Sequence, residues 1–175
     1  MTDPEFREAY HRHKDVLYRF AWRMTGSPDS AEDLVQDCFL LLLRNPPGYD
    51  AARGTLRSFL IGITRNLARK RMRGESRFDD LDEDSFAIPA IDTDSHDRAR
   101  IIARAVAELP PLQREVLILA EYEELSLEEI SRAVDAELAA VKSRLHRARE
   151  NMRRMLMPAL FQEKPGTKGI PSGTK

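Results

Sequence analysis

The stretch Ser126–Arg154, SLEEISRAVDAELAAVKSRLHRARENMRR, decides the fold. At 100° per residue Leu138, Val141, Leu145, Ala148 and Met152 fall on one stripe, while Ser143, His146, Arg147, Glu150 and Arg154 fall on the opposite face. That spacing predicts a helix over Val141–Arg154 with a core side and an outward side. Just upstream, Ser126 and Glu129 have the S-x-x-E spacing of a capping box, in which each side chain satisfies a backbone N–H at a helix start. It predicts a short helix carrying Leu127, Ile130, Ala133 and Val134, joined to the longer one by a tight turn at Asp135 and Ala136. Two amphipathic helices so joined make a helix-turn-helix, the geometry that lays one helix in a major groove and braces it with another.

Charge is concentrated in blocks. From Lys142 to Arg154 six cations (Lys142, Arg144, Arg147, Arg149, Arg153 and Arg154) stand against one anion, Glu150, a local balance of +5. A merely solvated helix usually mixes its signs, although an arginine-rich helix can also close an ordinary bundle. A second block, Arg65 to Arg77, has Arg65, Arg69, Lys70, Arg71, Arg73 and Arg77 against Glu75, whereas Asp79 to Asp97 holds eight acids and no Lys or Arg. The formal net charge of −1 conceals these blocks. A nucleic acid responds to the local field and not to the total.

The bulk properties narrow the class. A chain of 175 residues, 42% hydrophobic and 33% charged, suits one or two small domains. Eight glycines and few β-branched runs point to helices. No apolar run approaches the roughly 20 residues that cross a bilayer, and Met1 to Arg7 are too acidic and polar for a secretion signal; a cytoplasmic location away from membranes is expected. The single cysteine, Cys38, lies among Leu34, Val35, Phe39 and Leu42 and is expected to be a buried thiol. His11, His13, His96 and His146 lack a partner at ligand spacing, so no metal is assigned. With no nucleophile beside a base and no glycine-rich phosphate loop, no catalysis and no cofactor are expected.

Working outward along the chain, Asp3 and Pro4 are expected to cap a first helix with Phe6, Tyr10, Leu17, Phe20, Ala21 and Met24 inward, ended by Gly26. A second opens at Pro28 to Ser30 and runs to Arg44, with Ala31, Leu34, Val35, Cys38, Phe39 and Leu42 as its apolar face and Asn45-Pro46-Pro47 as its stop. The loop Gly48–Gly54 leads to Thr55, the expected cap of a third helix with Leu56, Phe59, Leu60, Ile63 and Leu67, which continues into the basic Arg69–Arg73. Helical periodicity resumes at Arg98 with Ile101, Ile102, Ala105 and Leu109, breaks at Pro110-Pro111, and resumes over Leu112–Glu124. The expected fold class is all-α: two helical domains, 4–73 and 98–157, joined by a flexible acidic linker over 74–97 that lets them move independently, with a disordered tail over 158–175.

Two further constellations bear chemistry. On the second helix Glu32, Asp33, Gln36 and Asp37 gather away from the apolar stripe. They read as a solvated acidic face near a positive helix start, as a docking surface for a basic partner, or, for Glu32, Asp33 and Asp37, as magnesium ligands of a helical phosphohydrolase. The last needs a second acidic motif on a facing helix, and the third helix offers none. On the third helix Asn66, Arg69, Lys70 and Arg73 recur at helical spacing beside the small polar loop Ala51–Thr55. Cations alone give salt-sensitive phosphate attraction; Asn66 adds an amide able to pair with a base edge, and the loop could receive an unstacked base. Ordinary surface arginines are the plainer alternative.

The strings Ala31-Glu32-Asp33-Leu34-Val35-Gln36-Asp37 with Phe39, Ile63-Thr64-Arg65-Asn66-Leu67-Ala68-Arg69, Leu109-Pro110-Pro111 leading to Arg114-Glu115-Val116-Leu117, Leu125-Ser126 to Glu129-Ile130, and Val141-Lys142-Ser143-Arg144-Leu145-His146-Arg147-Ala148-Arg149 occur in that order. Together, over about Phe6 to Leu156, they resemble the extracytoplasmic-function sigma factors of bacterial RNA polymerase. The resemblance implies a first domain that docks on core polymerase through Glu32, Asp33, Gln36 and Asp37 and helps melt the minus-ten promoter element. Arg53, Gly54, Thr55 and Leu56 would then hold a flipped base, with Asn66, Arg69, Lys70 and Arg73 along the separated strand. It places Lys142, Ser143, His146 and Arg147 in the major groove of the minus-thirty-five element.

Implied partners are core RNA polymerase and promoter DNA, with an anti-sigma factor common in the family. No self-pairing helix is visible, so a monomer is expected when free. Phe59 stands where the family usually has tryptophan, Asp135 and Ala139 where glycines are common, and Ala140 where threonine is common. Rival readings are a helix-turn-helix regulator that never touches polymerase, and the magnesium phosphohydrolase.

Overall fold

The computed structural model describes residues 2–44, 48–75 and 98–161. Most of the expected linker and tail, and the Asn45-Pro46-Pro47 stop, lie outside them. Among the described residues there are seven helices and no strand: α1 (Asp3–Thr25), α2 (Pro28–Arg44), α3 (Leu56–Glu75), α4 (Arg98–Glu108), α5 (Pro111–Glu121), α6 (Leu127–Val134) and α7 (Leu138–Phe161). No helix among them is long and apolar enough to cross a membrane.

Local chemistry sets most boundaries. Helix α1 is preceded by Thr2, whose N–H donates to Glu5 Oε2 at 2.7 Å, so its cap lies one residue before Asp3. Its other end closes on Gly26 at φ 71°, whose N–H donates to the Trp22 carbonyl at 2.7 Å. The Ser27 hydroxyl accepts the Ser30 N–H at 3.2 Å and starts α2. Helix α5 stops at Glu121, three residues short of the expected Glu124. There the chain turns sharply: Glu124 takes φ 53° and the Leu125 N–H reaches back to the Leu119 carbonyl at 3.0 Å. Helix α3 reaches Glu75, and α7 continues through Pro158 to Phe161, each a few residues beyond its expected end.

Two helical units result. In the first, Leu17, Phe20 and Met24 of α1 meet Leu34, Cys38 and Phe39 of α2 and Leu60 and Ile61 of α3, all buried. Phe39 also receives the edges of Phe6 and Tyr10, with ring centroids 5.9 and 4.9 Å away. In the second, Val116 and Leu119 of α5, Ile130 of α6 and Val141, Leu145 and Ala148 of α7 are buried. Truncating any of the larger of these to alanine costs about 2–5 kcal/mol. Cys38 is a buried thiol with Sγ 3.6 Å from the Leu60 carbonyl, and burial pushes its pKa up to about 11.

The units also pack on one another, through charge as much as through apolar contact. Arg65 of α3 makes a bidentate pair with Glu115 of α5, Nε to Oε2 and Nη2 to Oε1, both at 2.9 Å, with side-chain exposures of 8% and 0%. Glu123, after α5, is approached by Arg19 and Arg57 at 3.3 Å and by Arg23 at 3.7 Å. Arg57 also donates to its carbonyl at 2.8 Å. Arg114 donates to the Met24 carbonyl at 2.7 Å from one nitrogen and to the Ala107 and Leu109 carbonyls from the other. Gly62 of α3 faces Ala133 of α6 so closely that a Cβ would stand 3.1 Å from the Ala133 carbonyl. The two units thus meet at an interface across which buried charges are paired. Removing one partner of such a pair costs about 3–5 kcal/mol.

His13 of α1 is buried, and that burial, reinforced by Arg12 and Arg57, holds its imidazole below the ordinary 6.5. The unfolded chain therefore binds the proton more tightly, so stability is retained above pH 6.5 and lost as pH falls below it. In urea titrations the wild-type chain is expected to lose stability between pH 6.5 and 5.5 more steeply than His13→Gln; identical slopes would show that His13 does not contribute.

Candidate nucleic-acid interface and docking face

The helix-turn-helix is built by local hydrogen bonds. Ser126 Oγ accepts the Glu129 N–H at 3.2 Å and Glu129 Oε2 accepts the Ser126 N–H at 2.9 Å, completing the capping box at the start of α6. Asp135, at φ 50° and ψ 57°, takes the left-handed conformation that a glycine would take freely and that Asp adopts at modest cost. The Ala136 N–H donates to the Ser131 carbonyl at 3.1 Å, and the Ser131 hydroxyl donates to the Ala136 carbonyl at 2.6 Å. Helix α7 is tied to α5 by Asn151 Nδ2 donating to Gln113 Oε1 at 2.8 Å.

With Val141, Leu145 and Ala148 buried, Lys142, Ser143 and His146 are exposed on the other side. Arg147 is half-buried along the same face and donates to Ser143 Oγ at 3.0 Å. Two of the six cations are locally balanced, Arg149 by Glu121 at 2.6 Å and Arg153 by Glu150 at 3.0 Å. The +5 counted along the sequence therefore overstates the field of this helix.

In the first unit the loop before α3 is an ordered turn. Asp50 Oδ1 accepts the Ala52 N–H at 2.9 Å, its carbonyl accepts the Arg53 N–H at 3.0 Å, and the Tyr49 hydroxyl donates to the Gly54 carbonyl at 3.2 Å. The Tyr49 ring leans on Phe59 at 5.5 Å, so phenylalanine keeps an aromatic support at the position where the resemblance leads one to expect tryptophan. Thr55 caps α3 by accepting the Ser58 N–H at 3.2 Å. Gly54 sits at φ 153°, where side chains are rarely tolerated, and a Cβ there would lie 3.2 Å from the Arg132 guanidinium. Arg53 and Thr55 are exposed, while Leu56 is half-buried against the core.

Along α3, Asn66, Lys70 and Arg73 are exposed, and Asn66 accepts from Arg65 Nη1 at 3.1 Å. Arg69 is half-buried, and its pKa is lowered first by burial and then by Arg65, Arg73 and Arg144, with Glu115 opposing.

Glu32, Asp33, Gln36 and Asp37 are all exposed on α2. Asp33 is engaged by Arg71 of α3 at 3.1 Å, a contact sequence spacing did not suggest. The same helix also presents Leu40, Leu41 and Leu43, exposed by 41, 42 and 54%, while Leu42 is buried. Leu40 follows Gln36 by four residues and Leu41 follows Asp37 by four, so acids and leucines share one surface. Four consecutive leucines cannot all fit one apolar stripe, and that was the available signal. No cluster of three or more His, Cys, Asp or Glu positioned to hold a metal ion occurs among the described residues.

A helical body with an exposed helix-turn-helix face, a second basic helix beside an ordered loop, and a helix that displays acids and leucines side by side carries two surfaces suited to nucleic acid and one suited to a protein partner. The family description sigma-70 region 2 matches residues 9–78, and sigma-70 region 4 matches 99–152. An extracytoplasmic-function sigma factor, SigE of Mycolicibacterium smegmatis, is 36% identical over 159 residues, covering 86% of this chain and 61% of its own length. SigW of Bacillus subtilis is 28% identical, covering 86% and 88%. The sigma factor RpoE of Bartonella quintana, solved with the anti-sigma factor NepR, superposes with a TM-score of 0.65 at 26% identity over 87% of this chain and 96% of that one. CnrH, solved with the cytosolic domain of CnrY, shares the fold with a TM-score of 0.67 at 22% identity, covering 90% of each chain.

The chain belongs to the sigma-70 family, in its extracytoplasmic-function group, and is a sigma factor that directs RNA polymerase to promoters. The family is not known for enzymatic activity.

Proposed function

We propose that the three surfaces divide the work of transcription initiation as follows. Helix α2 docks on core polymerase: its exposed acids choose a basic partner surface, and Leu40, Leu41 and Leu43 supply apolar area to be buried on contact. Lys142, Ser143, His146 and Arg147 enter the major groove of the minus-thirty-five element. Arg53, Gly54, Thr55 and Leu56, with Asn66, Arg69, Lys70 and Arg73, hold the separated strand of the minus-ten element. Residues 4–73 form the docking and melting domain, 98–157 the duplex-reading domain, and 74–97 the tether between them.

The observation that carries this reading is the outward display of Lys142, Ser143 and His146 on a helix whose opposite stripe is buried. Phosphate contacts supply affinity that weakens with salt, and base contacts worth about 1–3 kcal/mol each supply choice of promoter. Strand separation then draws on binding energy alone, and the chain catalyses nothing. Ala140 lacks the hydroxyl expected at the start of α7, which removes one phosphate contact and shifts promoter preference. Its place of work is the cytoplasm, where core polymerase meets DNA. An anti-sigma factor is a natural further partner, since the Bartonella relative was captured with one.

Three outcomes test this assignment in reconstituted transcription. Arg147→Ala is expected to reduce initiation at the cognate promoter about tenfold while polymerase pull-down is unchanged; a parallel loss of polymerase binding would contradict the placement. Asn66→Ala should leave duplex binding by the holoenzyme intact but reduce strand opening, read by permanganate footprinting, and normal opening would remove Asn66 from the strand path. Asp37→Lys with Leu40→Ala should weaken copurification with core polymerase without changing the helical signal. Undiminished copurification would make this a plain solvated face.

A further inference from the structure

We propose that the three arginines around Glu123 form a seat for a protonated phosphate, free inorganic phosphate above all. Glu123 accepts the ligand's P–OH, and the guanidiniums bind its remaining oxygens.

The charges at this place do not balance. Arg19 and Arg23 of α1 and Arg57 of α3 converge on one carboxylate, leaving an excess of two positive charges. The approaches are long, 3.3 Å from Arg19 and Arg57 to Oε2 and 3.7 Å from Arg23 to Oε1, where charged partners ordinarily close to about 2.7–2.9 Å. A guanidinium carries five N–H donors, yet one nitrogen of each is engaged. Arg19 donates to Oε2, Arg57 to Oε2 and to the Glu123 carbonyl, and Arg23 to the Arg19 carbonyl at 3.4 Å. The arginine side chains keep 49% (Arg19), 36% (Arg57) and 22% (Arg23) of their exposure, so the cluster remains open to solvent.

The carboxylate selects the anion. Glu123 is 1% exposed, yet its Oε1 accepts no hydrogen bond among the described residues. A buried acceptor without a donor is costly, and a ligand that brings a donor removes the cost. Sulfate brings none at neutral pH and meets a negative oxygen at close range, which repels it. Inorganic phosphate keeps a P–OH in both of the forms present at pH 7, and a hydroxyl bonded to a carboxylate is of the short, strong kind. A DNA phosphodiester has no proton to give and does not fit the seat. A phosphate monoester, with a second pKa of about 6, is mostly doubly ionised at pH 7 and fits less well than the free ion.

Arg23 is the movable part. It is held by the 3.4 Å bond to the Arg19 carbonyl and by the Tyr122 ring, 4.2 Å from its guanidinium carbon, and it swings off Oε1 to admit the ligand. Arg19, Arg23 and Arg57 belong to the first unit and Glu123 to the second, so bound phosphate also stabilises their packing by mass action.

Calorimetric titration of the full chain at pH 7 and constant ionic strength, with sodium phosphate and separately with sodium sulfate, reads the seat directly. Phosphate should bind with a Kd of about 1 mM or tighter, and sulfate at least roughly tenfold more weakly. Glycerol phosphate should bind more weakly than inorganic phosphate; tighter binding would overturn the assignment to the free ion. Glu123→Gln removes the negative acceptor, so sulfate should bind it more tightly than wild type and the preference for phosphate should shrink to about twofold or less. Arg19→Gln, at the exposed edge, should weaken phosphate about tenfold with an unchanged far-ultraviolet helical signal. Equal affinity of the wild type for phosphate and sulfate, no saturable phosphate binding below about 10 mM, or an Arg19→Gln chain that binds phosphate as the wild type does would each overturn the proposal. Should Glu123→Gln lose its helical signal, Arg19→Gln and the comparison of the two anions decide.

Discussion

A carboxylate with no exposure to water is tolerable only if a cation is held against it in good geometry, and Glu115 meets that condition with Arg65 through two 2.9 Å hydrogen bonds. The pair joins α5 to α3 and so sets how the second helical unit sits on the first. Once it is in register, Glu123 falls among Arg19, Arg23 and Arg57, Arg114 reaches the end of α1 at the Met24 carbonyl, and Ala133 comes down on Gly62. Each of these contacts depends on the same docking. Apolar surfaces tolerate a small slip; a buried guanidinium and carboxylate do not.

The two candidate nucleic-acid surfaces are held in different ways. The helix-turn-helix is a local construction, with Ser126, Glu129, Ser131 and Asp135 satisfying backbone groups within a few residues, and its outward face is set by the stripe buried behind it. The loop and α3 are locally ordered by Asp50, Thr55 and Tyr49, and Arg132 of the other unit donates to the Arg53 carbonyl.

Much of this was legible along the chain. The 3.6-residue period located each of the seven helices, because an amphipathic stripe is a property of one segment and needs no partner to be seen. The capping box at Ser126 and Glu129, the cap at Thr55, the Gly26 stop and the left-handed Asp135 are equally local. Two boundaries slipped nonetheless: Thr2 and not Asp3 caps α1, because Glu5 reaches back to it as Glu129 does to Ser126, and α5 ends early, because Glu124 reverses the chain. Arg149 counted toward the +5 of the last charge block, but Glu121 of α5 stands beside it, while Arg153 pairs with the Glu150 already in that count. On α2 the acids were evident, but Leu40, Leu41 and Leu43 were not recognised as surface, since a leucine's address depends on what packs opposite it.

Helix positions, the charge blocks, the turn chemistry and, through the ordered motifs, the family were determined by the sequence itself, because each rests on residues a few positions apart. Only the tertiary structure decided that Arg65 belongs to Glu115 fifty positions away, that Arg71 engages Asp33, and that Arg53 and Gly54 lie beneath Arg132. The physical reason is that charge pairing across an interface depends on which helix faces meet. That choice is made by the burial of both units together, so no window of the chain contains it.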